Sequence, residues 1–454
     1  MRAVPSDPAL PALRGLFPEA GAPEFVAEAV SLMTGVPARP GEATIRHVRY
    51  RPTKSCAVLW SFSTPDGSAA LVSGTLFRNE AGADAISRES FQRLAAEAQA
   101  VRGTERPAFR YIAEQKLLLQ AFPLDLRLPG LPLATSEARL RRTLPSAFGI
   151  AADARVTVAV QSYKPRHRCV LRYDIESDAG SARYFAKVFR DDRGGKLLGW
   201  LRSLHDQLDV AGGPWRITPP AAYVPEAQLL LFKAAKSGIE LKERLKDAAA
   251  DPELRRALRD DMTTAARGLA ALQRCSIDGV PVVGPARALD ALLELTDGLS
   301  AVAPDLAAAA ERRIQELDDE AERLPTEALV LAHGAFRHDQ LLLESGGQLV
   351  LDLDTICRSG ASADAGNFLS YLDVTALRRR RLRAVADECA SAFEQAAVRQ
   401  PSISPAWTAW YRRVGHVKAA LRSFLGLDGK WPELARTFLG VEQAALATRS
   451  PNGD

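Results

Sequence analysis

Two stretches of the chain alternate apolar and polar positions in the same way. Tyr50-Arg51-Pro52-Thr53-Lys54-Ser55-Cys56-Ala57-Val58-Leu59-Trp60 and Tyr163-Lys164-Pro165-Arg166-His167-Arg168-Cys169-Val170-Leu171-Arg172-Tyr173 align without gaps at an offset of 113. Each reads as an apolar run, a Pro-containing basic turn, a second run rich in apolar and aromatic residues, and a third run after a polar Gly/Ser break. Period-two runs separated by turn residues predict a three-stranded antiparallel meander. A helical stretch follows in both, Ser87 to Val101 and Lys196 to Leu208, and then two more strands ending at Leu119 and Leu231. Tyr111 to Leu119 recurs as Tyr223 to Leu231 at an offset of 112, so the register slips by one residue over the whole repeat. The expectation is two β-rich units, each of five strands with a helix after the third.

Beyond Leu231 the pattern changes to long helical periodicities. Phe232-Lys233-Ala234-Ala235-Lys236-Ser237-Gly238 reads as the join, and Ala265 to Gln273 places its apolar residues on one helical face. From Gly415 onward the chain reads as helical cover. His416, Val417, Lys418, Leu421 and Phe424 fall on mixed faces, and Trp407, Trp410 and Trp431 read as core or cleft aromatics. A length of 454 residues implies two or three domains. The pattern divides them at residues 1–145, 146–235 and 236–454.

Composition narrows the function classes. With 47% hydrophobic and 25% charged residues the chain has ordinary globular usage. A net charge of +4 and no basic tract longer than Arg378-Arg379-Arg380-Arg381 argue against a nucleic-acid surface; that run reads as a solvated helix face. Five cysteines (Cys56, Cys169, Cys275, Cys357, Cys389), scattered and without a CxxC pair, suggest neither a disulfide framework nor a zinc site. No basic leader with an apolar core and no run of about 18 apolar residues is present. The expectation is a cytoplasmic protein with no membrane and no nucleic-acid partner.

Candidate chemistry lies in the second unit and after it. Phe185-Ala186-Lys187-Val188-Phe189 is a third strand presenting a lysine, where the first unit has Val72-Ser73-Gly74-Thr75-Leu76. The second unit's turn carries Lys164, Arg166, His167 and Arg168. Downstream, His333-Gly334-Ala335-Phe336-Arg337-His338-Asp339-Gln340 is followed by the apolar run Leu349-Val350-Leu351 and by Asp352-Leu353-Asp354.

These motifs, in this order and spacing, resemble the aminoglycoside-phosphotransferase-like branch of the kinase superfamily. That family has a helix ending Leu-Ala-x-Leu-His, a loop His-Gly-Asp-(four residues)-Asn, and a strand carrying Ile-Asp-Phe/Trp. Here Leu269-Ala270-Ala271-Leu272-Gln273, His333-Gly334-Ala335 with Gln340, and Leu351-Asp352-Leu353-Asp354 correspond, and Asp364-Ala365-Gly366-Asn367-Phe368-Leu369 matches the loop-bracing segment at its first Asp. The resemblance covers about residues 150 to 454. It implies an α+β, protein-kinase-like bilobal fold, with an antiparallel N-lobe and a mainly helical C-lobe, preceded here by a second N-lobe-like unit lacking the lysine.

The resemblance also implies roles. Lys187 would meet the nucleotide phosphates, with Lys164, Arg166 and Arg168 covering them where protein kinases use a glycine-rich loop, and Asp209 or Asp206 would supply the helix carboxylate for Lys187. Asp352 and Gln340 would ligate Mg²⁺. Gln offers the same carbonyl oxygen as the family's Asn, and the maltokinases resemble this chain in carrying it. His333 would orient the loop. Ala335 occupies the place of the catalytic Asp, and alanine accepts no proton; Asp339, His338 or Asp354 are the neighbours that would approach the vacant place. General-base assistance is worth about 10²- to 10⁴-fold, while positioning and metal electrostatics remain without it. Two functions follow: an ATP- and Mg²⁺-dependent phosphotransferase acting on an unidentified small molecule, or a pseudokinase serving as a nucleotide-binding or scaffold module. The first unit, residues 1–145, would cap the cleft or mediate contact with a second copy or a protein partner.

Overall fold

Strict alternation makes the strands. Between Arg168 and Ser177 every second residue is buried, so Cys169, Leu171, Tyr173 and Ile175 share one face. The computed structural model describes residues 2–19, 21–64, 69–148, 154–178, 180–235 and 238–441. Asp66, Gly67 and Ser68 of the first Gly/Ser break, and Lys236 and Ser237 of the join, lie outside the described residues.

The first sheet comprises β1 (Ala43–Arg51), β2 (Ser55–Ser63), β3 (Ala69–Phe77), β4 (Phe109–Ile112) and β5 (Leu117–Ala121) in the order β1-β2-β3-β5-β4. The second begins with β6 (Arg155–Lys164), β7 (Arg168–Ser177) and β8 (Gly180–Val188). The short strand β9 (Trp215–Ile217) then leaves for a third sheet, and β10 (Pro220–Val224) and β11 (Leu229–Lys233) complete the order β6-β7-β8-β11-β10. Both sheets are antiparallel throughout, and both carry a helix after the third strand, Glu89–Val101 and Arg193–Ala211. The second strand order therefore repeats the first.

The likeness reaches individual backbone angles. Thr53 and Arg166 in the two turns take φ of 58° and 63°, and Lys116 and Gln228 before the fifth strands take 51° and 49°. Each first turn is held by an aspartate from the preceding segment. Asp7 accepts from the Tyr50 hydroxyl at 2.7 Å and from the Thr53 N–H at 2.8 Å. Asp125 accepts from the Tyr163 hydroxyl at 2.8 Å and from the Arg166 N–H at 2.7 Å. The segments behind these aspartates, Asp7-Pro8-Ala9-Leu10-Pro11-Ala12-Leu13 and Asp125-Leu126-Arg127-Leu128-Pro129-Gly130-Leu131, are alike as well. Leu128, Leu131, Ala134 and Leu140 pack in the core of the second sheet, and the expected boundary at 145/146 falls inside the helix Glu137–Phe148.

The remainder is mainly helical, with short strands β12 (Ile239–Glu240), β13 (Val282–Val283), β14 (Leu329–Ala332), β15 (Leu341–Glu344), β16 (Gly347–Val350) and β17 (Cys357–Gly360). They form two small sheets, β12-β15-β16-β9 and β13-β17-β14. The helix Pro252–Gln273 starts at the N-cap Asp251, whose carboxylate accepts the Glu253 and Leu254 N–H groups. It runs against Trp215: a side chain at Gly268 would strike the indole. Trp407, Trp410 and Trp431 are core residues. They share one cluster with Tyr50, Val58, Trp60 and Leu119 of the first sheet and with Leu289, Leu306 and Ile314 of two further helices. The first sheet's apolar face is thus covered by the C-terminal helices of its own chain. Among the described residues no helix is long and apolar enough to cross a membrane.

Candidate functional site

The site forms where the second sheet faces the turn between β16 and β17. Lys187, on β8 between Val170 and Leu230, is buried, and its ammonium donates to Asp352 Oδ1 and Asp354 Oδ1, both at 2.7 Å. Arg168, at the start of β7, reaches the same two carboxylates at 3.6 and 3.2 Å. Asp352 takes a left-handed backbone (φ 61°), a conformation that Asp tolerates and that turns the chain sharply after β16. Burial alone would raise its carboxyl, but Lys187 and Arg168 hold it at about 2. Burial likewise opposes the Lys187 charge, yet Asp354 and Asp352 together raise it above its ordinary value. Asp352 is therefore ionised and the lysine charged.

The loop after β14 is fixed from beneath by Asp364. That buried carboxylate accepts the His333 N–H at 2.6 Å and the Gly334 N–H at 3.0 Å. Gly334 has φ 77°, and a Cβ there would run into Thr355 O, so the turn requires glycine. His333 is fully buried, and its Nε2 lies 2.9 Å from Leu351 O, tying the loop to the residue before Asp352. Asn367 Nδ2 donates to Phe336 O at 2.6 Å. His333 thus links the loop to Asp364 through its backbone and to Leu351 through its ring.

Gln340 is buried. Its backbone carbonyl accepts from Leu351 N at 2.9 Å, which sets it beside the strand leading to Asp352, and its side-chain Oε1 has no partner. An orphaned amide oxygen, and an ionised carboxylate next in chain to the residue its backbone binds, are donor types suited to a hard cation that also takes phosphate oxygens. Among the described residues no three His, Cys, Asp or Glu side chains cluster to hold a metal alone. The residues present thus fit Mg²⁺ only in company with phosphate.

Other expected positions separate. Lys164 stands near the site: burial and then Arg168 and Arg337 lower its pKa, while Asp352 raises it. Arg166 does not. Its N–H is spent on Asp125 and its guanidinium lies over Phe77 of the first sheet at 5.7 Å, so it joins the two sheets rather than facing Lys187. Asp209 and Asp206 are exposed along the last turns of Arg193–Ala211, and Lys187 takes Asp354 and Asp352 instead of a helix carboxylate. Asp339 is turned to Arg337 at 3.2 Å. His338 is buried with Nε2 3.3 Å from Thr375 Oγ1, and burial pushes it down to about 4. Of the carboxylates on and beside this loop, Asp352 and Asp354 are paired with Lys187 and Asp364 with the loop backbone, while Asp339 lies within ion-pair distance of Arg337 although its Oδ1 makes no hydrogen bond among the described residues. The residues that reading the sequence missed are Asp125 and Asp7, for which the Asp-x-x-Leu-Pro similarity was an available signal, and Asp354 as the lysine's partner.

The sequence profile of the phosphotransferase enzyme family matches residues 170–400, 231 of the 454 positions. No curated protein matches. Among solved structures, the amicoumacin kinase hAmiN in complex with AMP-PNP, Ca²⁺ and Ami is 12% identical, with 62% of this chain and 88% of that one covered at a TM-score of 0.44. A thermostable mutant of the aminoglycoside phosphotransferase APH(4)-Ia is 17% identical, covering 69% and 100% at 0.45. The choline kinase LicA from Streptococcus pneumoniae is 12% identical, covering 68% and 98% at 0.43.

Proposed function

Because the chain belongs to the phosphotransferase enzyme family, we propose that it binds ATP with Mg²⁺ and transfers the γ-phosphoryl group to a small-molecule acceptor. The observation that carries this reading is Lys187, a buried ammonium on the third strand of the second sheet, held at 2.7 Å between Asp352 and Asp354. A charge so placed meets the nucleotide phosphates when they enter, and Asp354 keeps it aimed. Gln340 and Asp352 would hold the metal, which supplies neutralisation of phosphate charge. Arg168 and Lys164 add positive charge at the mouth of the site. His333 and Asp364 keep the loop rigid, so alignment rather than proton transfer is what this chain contributes.

The domain reading follows the same lines. We take the two sheets as copies of one unit, place the boundary between them ahead of Asp125, and assign the nucleotide to the second sheet and the helical part after Lys233. The packing of Leu128, Leu131 and Leu140 under the second sheet supports that boundary.

With γ-labelled Mg·ATP and a panel of sugars, amino alcohols, carboxylates and phosphate esters, the wild type is expected to form labelled product and ADP. Lys187→Met is expected to lower the rate at least about 10²-fold, since it removes a preorganised phosphate contact. A wild type that forms no ADP with any acceptor contradicts the reading. Ala335 favours one alternative, a nucleotide-binding module without turnover. In that case Mg·ATP raises the melting temperature, no ADP forms, and Ala335→Asp starts phosphorylation of hydroxyl acceptors.

A further inference from the structure

A cleft of about 1520 Å³ opens between β1 of the first sheet and the helices Ala363–Arg378 and Pro405–Leu425. Its walls carry five arginines, Arg2, Arg14, Arg46, Arg378 and Arg422, against two carboxylates, Glu19 and Asp428. Asp428 is already paired with Arg378 at 2.8 Å. Arg46 and Arg422 are exposed to the cleft and, among the described residues, have no ionic partner.

The cleft leads toward the catalytic loop. Tyr371 lines it, and the ring of Tyr371 lies 5.0 Å beneath the guanidinium of Arg337, two residues after Ala335. One turn before Arg422 on the same helix stands Lys418, half-buried and, among the described residues, without a hydrogen-bonding or ionic partner. Burial first, and then the positive charges of Arg422 and Arg337, bring it down to about 8. Arg337 and Arg422 also act on Lys164, which in turn feels Asp352. Arg337 is paired with Asp339 and Lys164 feels Asp352, so the cations left without an ionic partner among the described residues are Arg46 and Arg422 in the cleft and Lys418 one turn away. Like charges gathered this way are costly unless an anion joins them.

Ala335 gives the second, independent observation. A hydroxyl acceptor must lose a proton as it attacks, and Asp339, Asp352, Asp354 and Asp364 each already face a cation or the loop backbone. A carboxylate or phosphate oxygen has no proton to lose at neutral pH. We propose, resting on the phosphotransferase reading, that the acceptor is an oxyanion, a carboxylate or a phosphate monoester, bound in this arginine-lined cleft and phosphorylated directly on its anionic oxygen. The oxygen's lone pair forms the new bond to the γ-phosphorus, the bond from that phosphorus to the β,γ-bridging oxygen breaks, and its electron pair leaves with ADP. No proton moves, so the missing base is not missed. The product is an acyl phosphate from a carboxylate or a phosphoanhydride from a phosphate monoester.

The test uses the full chain. Citrate and inorganic phosphate are titrated calorimetrically into wild type, Arg422→Glu and Lys418→Met, the first variant being at an exposed position that should not disturb folding. Both variants are expected to weaken binding at least tenfold; unchanged affinity for both probes overturns the anion site. γ-Labelled Mg·ATP is then offered with citrate, glutamate and glycerol 3-phosphate against glycerol, glucose and ethanolamine. Label is expected on the oxyanions: if the acceptor is a carboxylate, hydroxylamine releases it as inorganic phosphate and leaves the acyl group as a hydroxamate, and if the acceptor is a phosphate the label resists hydroxylamine. Label on glycerol, glucose or ethanolamine with none on the oxyanions overturns this inference and leaves the phosphotransferase reading standing. Label and ADP absent with all six overturns the phosphotransferase reading itself.

Discussion

The two five-stranded sheets have the same strand order, the same aspartate-held turn and the same left-handed residues, and they differ in what each face meets. Register identifies equivalent positions. Cys56 pairs with Tyr50 and Leu76, and Cys169 with Tyr163 and Val188, so the residue one before each third-strand partner is Thr75 in the first sheet and Lys187 in the second. In the second sheet the face bearing Lys187 and Leu230 belongs to the core of the helical region and looks onto Asp352 and Asp354. In the first sheet the corresponding face is closed by Phe91, Leu94 and Ala98 around Leu118. Its other face, with Val58 and Trp60, is the one that reaches the C-terminal helices. One strand order thus presents a buried lysine to two aspartates through one face in the second sheet, and serves as structural cover through the opposite face in the first. A single buried position, lysine or threonine, marks which use is made of it.

The largest expected effect comes from removing the cover. A chain lacking residues 1–121 exposes Trp410, Leu421 and Phe424, now almost fully buried, and should yield no monodisperse folded protein in size-exclusion chromatography. A truncated chain that stays monodisperse with an unchanged melting temperature would make the first sheet dispensable. Next come the exchanges at the equivalent positions. Lys187→Met leaves two facing carboxylates with only Arg168, and denaturant unfolding should report a loss of about 3 kcal/mol. Thr75→Lys places an ammonium in the same register with no carboxylate opposite, and should cost at least about 3 kcal/mol without creating a nucleotide site. If Thr75→Lys is neutral, the two environments are less different than the packing indicates.

The legible part of this molecule was what local pattern encodes. The meanders, their helices, Lys187 and the Asp352 segment follow from alternation and motif spacing. Asp209 was misassigned because offset arithmetic places a residue along a helix without saying which carboxylate is nearest in space; Asp354, 167 residues away from Lys187, is closer. The sharing of one core between the first sheet and helices some three hundred residues later was invisible, because an amphipathic helix such as Pro405–Leu425 records that it has an apolar face and not what covers it. The cation cluster was hidden for the same reason: Lys418 and Arg422 are ordinary helix positions until the fold brings Arg337 to them. Arg166, by contrast, was in the right turn, but Asp125 turns that turn toward the first sheet.

Smaller effects sharpen the comparison further. Asp352 is held at about 2, below its value in an unfolded chain, so its ion pairs contribute above about pH 4 and are lost as pH falls toward 2. That contribution is on the order of 2 kcal/mol, and the acid limb of the stability curve should flatten in Asp352→Asn. The smallest expected change is at the two braces. Tyr50→Phe and Tyr163→Phe each remove one hydrogen bond to a buried carboxylate and should cost similar amounts, about 1 to 2 kcal/mol each by urea unfolding. Unequal losses would mean that the two turns, alike in geometry, are held by different forces.

The central claim, that the second sheet alone carries the nucleotide, is tested most directly by the melting temperature of wild type, Lys187→Met and Thr75→Val with and without Mg·ATP. At a hundred times the dissociation constant the bound state gains about 2.7 kcal/mol. An upward shift of equal size in wild type and Thr75→Val, and none in Lys187→Met, is the predicted result. A shift that survives in Lys187→Met, or disappears in Thr75→Val, would contradict it.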